Sequence, residues 1–393
     1  MDVEPFVIDV PQTALDDLER RLTATRFAPD LEDGTGQAGI STEQVRSLVE
    51  HWRTGYDWRS QERAINELPQ FRVQIDGQPI HFVHVRGKGP TPTPLLLTHG
   101  FPWTFWDFHR LVGPLTDPAA HGGDPADAFD VVIPSLPGYA YSSPVTEPGM
   151  NFVRTADLWS TLMRDALGYE RYAAHGGDWG ALVTAQLGHK YADELIGIHL
   201  TSLVALPSGW NSDRPWNLLQ KAADAASPEN RAAVVAWERR RAGHLAPQIV
   251  HPRALAQGLN DSPAGLLAWL TQRRLEWRDE TQPLDQVFSP DFLITTTMLY
   301  WLTETYPTAA RFYYEAAANP WQPSHDRTPV IQAPAGLSLF LDDNPPGASF
   351  DWIAAVYADV VHQATHTVGG HFGAMERPED VVTDIRTTFR TLR

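Results

Sequence analysis

The feature that most constrains this 393-residue chain is His175-Gly176-Gly177-Asp178-Trp179-Gly180. β-type residues lead into it (Arg171-Tyr172-Ala173-Ala174), and a helix-like run leaves it (Ala181 to Leu187). A strand that passes into a helix through a Gly-x-Asp-x-Gly turn must bend sharply, and a Cβ at either flank would meet neighbouring backbone. Such a turn lifts its central side chain, here Asp178, to the top of the strand. A carboxylate is a weak nucleophile at a carbonyl but an adequate one at an sp³ carbon bearing a leaving group, where it forms an alkyl ester. Water must then hydrolyse that ester, so a base is needed elsewhere in the chain. The same residues also read as a Gly-rich turn in which Asp178 merely caps a helix.

The rest of the composition narrows the partners. A net charge of −17 argues against nucleic acid, whose phosphates it would repel. The absence of cysteine excludes disulfides and thiolate metal sites, and the motifs require no cofactor and no metal. Hydrophobic residues at 42% and charged residues at 20% suit a large packed core rather than a disordered chain. Met1-Asp2-Val3-Glu4 is acidic, unlike a signal peptide, and no run approaches the ~20 apolar residues of a membrane span. The expectation is a soluble, cytoplasmic protein without a membrane anchor.

Around the turn, short apolar strands alternate with amphipathic helices. Leu95 to Thr98, Phe129 to Ile133, Leu195 to Leu200, Gly336 to Leu341 and Val360 to Val368 read as strands, and Phe152 to Leu167 as a helix. The alternation predicts an α/β chain whose sheet is mostly parallel, with helices on both faces and ligands at the carboxyl ends of its strands. The loops at His99, Pro134 and Asp178 then share one rim. Residues 1–70 read as an N-terminal helical arm packing on the core. Thr13 with Asp16 opens one helix, Ser41 or Thr42 caps another, and an acidic, Gly-rich loop over 29–39 joins them. Phe71 to Ile75 and Ile80 to Val85 form a hairpin across Asp76-Gly77. Residues 206–330 are rich in Trp, Arg and Ala, punctuated by prolines, and read as a helical lid, inserted between core segments 71–205 and 331–393.

Order along the chain narrows the catalytic set. The α/β-hydrolase fold places nucleophile, acid and histidine in that sequence, the last two after late strands. Asp178, one of Asp342 and Asp343, and His371 satisfy it. His371 would deprotonate water while a carboxylate fixes its tautomer. Chemistry alone does not separate Asp342 from Asp343, since only one of two neighbours can face the histidine. Backbone N–H groups of Trp179 and Phe101 would form an oxyanion hole, with His99 and Pro102 shaping the loop of the latter.

Together these motifs resemble the microsomal-type epoxide hydrolases over nearly the whole chain. The matching segments are Pro5 to Ile8, Arg20-Arg21-Leu22, Tyr56 to Arg59, His81 to His84, His99-Gly100-Phe101-Pro102, Pro134 to Tyr139, Gly177 to Gly180, Leu259 to Leu266, Arg311 to Glu315 and Gly369 to Phe372. The resemblance implies hydrolysis of an epoxide to a vicinal diol through an ester on Asp178, in detoxification or secondary metabolism, and puts the acid at Asp343. It also implies two lid tyrosines that bind the epoxide oxygen. Tyr313 matches one. His244 stands at the other, counted back from Asn260 to Pro263 and anchored by Gln248. An imidazole can donate a hydrogen bond, with a proton state expected to vary with pH. Trp103, where glycine is commoner, and Ala140 are expected to narrow the pocket mouth. A homodimer is left open. Haloalkane and haloacid dehalogenases use the same aspartate turn but need no phenol, so the arm and Tyr313 weigh against that reading.

Overall fold

The computed structural model describes residues 1–29, 38–202, 206 and 227–393; most of the 29–39 loop and Pro207 lie outside the described residues. Among the described residues nine strands form one sheet: β1 (Glu4–Phe6), β2 (Gln70–Ile75), β3 (Gln78–Val85), β4 (Thr93–Thr98), β5 (Phe129–Pro134), β6 (Tyr172–Gly176), β7 (Leu195–Leu200), β8 (Ala335–Phe340) and β9 (Val360–His366). Their order is β1-β2-β3-β5-β4-β6-β7-β8-β9. From β5 to β9 every pairing is parallel, and β1, β2 and β3 add an antiparallel edge. The hairpin turn is the expected one, with Asp76 and Gly77 both at positive φ.

The chain passes from β4 outward to β5, then returns to place β6 on the other side of β4. That reversal opens a crevice at the carboxyl ends of β4 and β6, where Thr98 pairs with Gly176. The helices are α1 (Gln12–Thr23), α2 (Thr42–Thr54), α3 (Trp58–Asn66), α4 (His109–Thr116), α5 (Phe152–Thr161) and α6 (Trp179–Lys190). After the undescribed stretch come α7 (Pro228–Arg241), α8 (Leu245–Val250), α9 (Pro252–Leu259), α10 (Pro263–Trp277), α11 (Leu284–Val287), α12 (Pro290–Trp301), α13 (Tyr306–Ala318), α14 (Gly373–Glu376) and α15 (Pro378–Arg390). Two adjacent residues of β7 show that both faces are covered. A Cβ on Gly197 would meet Phe389 of α15, whereas Ile198 packs against Gly188 of α6. Neighbours on a strand point to opposite faces, so α6 and α15 lie on opposite sides of the sheet.

The arm departs from an all-helical reading in two respects. Glu4–Phe6 pairs with β2 as an edge strand, and α1 starts at Gln12 after Pro11 with no side-chain cap, not at Thr13. Ser41, rather than Thr42, caps α2, forming a capping box with Gln44. The arm also grips the lid as well as the core. Arg21 Nη1 reaches Asp261 at 2.8 Å, His51 Nε2 reaches Asp291 at 2.7 Å, and the Tyr56 and Thr295 hydroxyls meet at 3.0 Å. No described helix is long and apolar enough to cross a membrane.

Candidate active site

Asp178 sits between β6 and α6 with φ 54° and ψ −126°, a left-handed backbone that L-residues rarely adopt. The strain persists because the packing allows no alternative. A Cβ on Gly180 would overlap the Thr98 carbonyl, and one on Gly100 would overlap the Asp178 carboxylate itself. The elbow therefore forces the aspartate side chain against the loop after β4, as the glycine spacing predicts.

Around that carboxylate the structure brings four of the expected groups together. The Phe101 N–H donates to Asp178 Oδ1 at 2.8 Å. His371 Nε2 lies 3.4 Å from Asp178 Oδ2, an ion-pair distance longer than a well-formed hydrogen bond. Behind it, His371 Nδ1 contacts Asp343 Oδ1 at 2.9 Å, whereas Asp342 turns away and accepts from Arg241 at 2.7 Å. Asp343 is thus the residue that faces the histidine. Trp179 is the first residue of α6, so its N–H points out of the positive end of that helix.

Burial disfavours the His371 imidazolium, but the Asp343 and Asp178 carboxylates more than offset it and raise its pKa to about 9. In the resting site it is therefore protonated at neutral pH.

Tyr313 meets Trp179 and Phe101 edge-on, with ring centroids 4.7 and 5.7 Å apart, and is 2% exposed. Burial and the nearby Asp178 charge push its phenol well above the usual tyrosine range. Tyr314, one helical step round, is 43% exposed. His244 immediately precedes α8 in the same wall, with its ring centroid 4.7 Å from that of Trp277 and 5.4 Å from that of Tyr313. Its Nδ1 is buried and makes no hydrogen bond within the protein. Burial, with Arg273 nearby, pulls its pKa well below 6.5, which favours the neutral imidazole.

The other sequence candidates take supporting positions. His99 spends both nitrogens on the loop: Nδ1 on the Gly100 carbonyl and Nε2 on the Leu136 N–H, each at 3.0 Å. It ties the Phe101 loop to the loop after β5, and both ring nitrogens are taken up in doing so. The Pro102 carbonyl accepts from Arg274 at 3.3 Å. Trp103 is not at a pocket mouth. It is buried, with its ring 5.6 Å from His371, and forms a wall behind the base. Ala140 is likewise buried, at φ 42°, with its N–H on Thr305 Oγ1.

Three residues escaped the sequence reading. The Trp277 carbonyl accepts the His371 N–H at 2.8 Å, and its ring lies 4.9 Å from the imidazole. Glu376 accepts from the N–H groups of Asp279, Gly370 and Phe372 at 2.8 to 3.0 Å, bracing the histidine loop. Arg274 pairs with the buried Asp107 at 2.7 Å while lying over the Phe372 ring. Nothing in the sequence marks Trp277 among fourteen tryptophans. Glu376, five residues after His371, was legible only as part of a loop.

A carboxylate on a strand–turn–helix elbow, with an imidazole and a second carboxylate lined up behind it, fits the α/β-hydrolase fold that the sheet order defines. Comparison with known proteins narrows this further. Residues 3–108 match the family model "Epoxide hydrolase N terminus" and residues 93–247 the model "alpha/beta hydrolase fold". A "Putative epoxide hydrolase" of Stigmatella aurantiaca is 36% identical over 100% of this chain and 86% of its own length. "Epoxide hydrolase 1" of Sus scrofa is 29% identical over 98% of this chain and 88% of its own. The Aspergillus niger epoxide hydrolase structure superposes with a TM-score of 0.81 at 28% identity, covering 100% of this chain and 97% of that one. This chain belongs to the epoxide hydrolase family, and the dehalogenase reading is set aside.

Proposed function

We propose that this epoxide hydrolase works in two half-reactions, with Asp178 as nucleophile, Tyr313 as acid and the His371–Asp343 pair as base. The observation that carries the reading is the division of the Asp178 carboxylate. Oδ1 is held by the Phe101 N–H, and Oδ2 remains for attack. As Oδ2 bonds to an epoxide carbon, the carbon–oxygen bond breaks and its electron pair goes to the ring oxygen. That oxygen takes the proton of Tyr313, with the neutral His244 as a second donor in place of a phenol. An alkoxide is a stronger base than a phenolate, so even a phenol with a raised pKa is a competent donor.

Alkylation then changes the electrostatics. Esterified Asp178 carries no charge, so one of the two carboxylates that hold the His371 proton is lost. The imidazole pKa falls and its proton leaves for solvent, from which the Tyr313 phenolate regains one. Neutral His371 takes a proton from water as that water attacks the ester carbonyl. The developing oxyanion meets the N–H groups of Phe101 and Trp179. Collapse breaks the bond between the carbonyl carbon and Oδ2, the diol leaves with the proton from His371, and the new Asp178 carboxyl returns its own proton to the imidazole. A single turnover in ¹⁸O-water tests this. Label is expected in the Asp178 carboxylate and not in the first diol, and label appearing first in the diol would mean direct hydration.

A further inference from the structure

One buried cation reaches the base from the lid and has no part in the scheme above. Arg241, the last residue of α7, is 6% exposed. Its Nη2 donates to the Asp342 carboxylate at 2.7 Å and to the Asp342 carbonyl at 2.5 Å. Its Nη1 donates to the Trp277 carbonyl at 2.8 Å and lies 3.5 Å from Asp343 Oδ1. Those last two atoms are the anchors of His371. Asp343 Oδ1 holds its Nδ1, and the Trp277 carbonyl holds its backbone N–H. The indole of Trp277 answers by donating to the Arg241 carbonyl at 3.1 Å. Desolvating a guanidinium is costly, and removing its partner leaves a buried charge exposed to that cost. A helix end needs no such cation buried, since exposed basic side chains suffice for its dipole.

We propose that Arg241 is a positioning residue for ester hydrolysis: it ties the lid to both anchors of His371 and shares the negative charge of Asp343. The inference rests on the two-step scheme above. With Asp178 esterified, Asp343 from the loop after β8 is the carboxylate that faces the imidazole; Asp342 turns to Arg241, and Asp279 after α10 and Glu376 from α14 accept from the N–H groups of Gly369 and Gly370 in the histidine loop. Opposing them are Arg241 and Arg240 from α7, while His244 is neutral. Arg241 is the cation nearest the acid–base pair among the described residues. It limits how strongly Asp343 holds the proton that His371 must shed before it can activate water.

The test separates the half-reactions by stopped-flow fluorescence from pH 5 to 9.5, using styrene oxide as the probe. In Arg241→Gln, alkylation should stay within about twofold of wild type, while ester hydrolysis slows about tenfold at neutral pH. The pH midpoint of hydrolysis should rise by about one unit, because a cation beside the pair is gone. kcat and KM then fall together and kcat/KM is kept. Arg241→Lys should restore the midpoint but not the full rate, since an ammonium lacks the fork. Asp342→Asn, which leaves the guanidinium to Asp343, should shift the midpoint downward and serves if Arg241→Gln does not fold. An unmoved midpoint in Arg241→Gln or in Asp342→Asn, or equal loss of both half-reactions, would overturn the proposal. Absence of two phases in the wild type would instead count against the two-step scheme.

Discussion

At the scale of single residues, the site divides labour between groups that the sequence names and groups that only packing reveals. Asp178, His371 and Asp343 were legible because a strained turn, a chain order and a Gly-Gly-His loop leave sequence traces. The choice of Asp343 over Asp342 needed family resemblance, and the 2.9 Å contact to His371 agrees with it. Trp277 acts through a backbone carbonyl, which any residue carries, so no residue type could announce it. His244 was legible as a departure, but its neutrality was not, because burial by Trp277, Phe101 and Tyr313 is a tertiary fact. Tyr313→Phe should slow alkylation about 10²-fold and leave hydrolysis of the preformed ester nearly unchanged, since the phenol proton is used in the first step. Rapid-quench measurement of both steps checks this, and equal losses would contradict the role. His244→Ala should slow alkylation at every pH from 5 to 9 by a common factor, because a neutral imidazole has no titration to display; a loss confined to one limb of the profile would show a charged form at work.

At the scale of elements, the parallel strands and the hairpin follow their apolar runs, and the elbow follows its glycines. The edge strand β1 did not, because three residues carry too little pattern and its pairing partner lies beyond residue 69. The docking of the arm was half legible. Stripes on α1 and α2 demanded a partner, yet nothing local says that α2 meets α10 and α12 of the lid. Through Tyr56, His51 and Arg21 the arm holds Thr295 and Asp291 on α12 and Asp261 just before α10, the helix that ends at Trp277. Trp52 lies in the buried face of α2. Trp52→Ala should cost about 3 to 5 kcal/mol of stability and expose the lid to limited proteolysis before the core. Chemical denaturation with mass mapping of the first cleavage sites tests the link, and first cuts within β4 to β7 would show that the arm serves the core instead.

At the scale of the whole molecule, buried imidazoles couple stability to acid. His81, His99 and His175 are buried and their pKa values fall to about 3, about 4 and about 3, chiefly through desolvation. In the unfolded chain they titrate at their ordinary value, so between pH 6.5 and 4 the unfolded state binds more protons. Stability must therefore drop as pH falls through that window, with each such histidine contributing a slope of up to about 1.4 kcal/mol per pH unit. Glu376, raised to about 7 by burial, acts in the opposite sense between its ordinary value and 7 and offsets part of the slope. On the alkaline side, His371 contributes stability below 6.5 that is lost as pH rises through about 9. Urea midpoints measured from pH 9 to 4.5 should peak near neutrality and fall toward acid; a flat acid limb would mean that these imidazoles are not held neutral.

The central claim is that a covalent ester on Asp178 is made without the base and removed only with it. Its most direct measurement is intact-mass spectrometry of His371→Gln after exposure to an epoxide such as styrene oxide. Alkylation needs only the carboxylate and the donors above it, whereas hydrolysis needs the imidazole. The protein should gain the full mass of one epoxide, peptide mapping should place it on Asp178, and Asp178→Asn in the same background should gain nothing. A folded His371→Gln enzyme that shows no adduct while the wild type turns over the same epoxide would contradict the account.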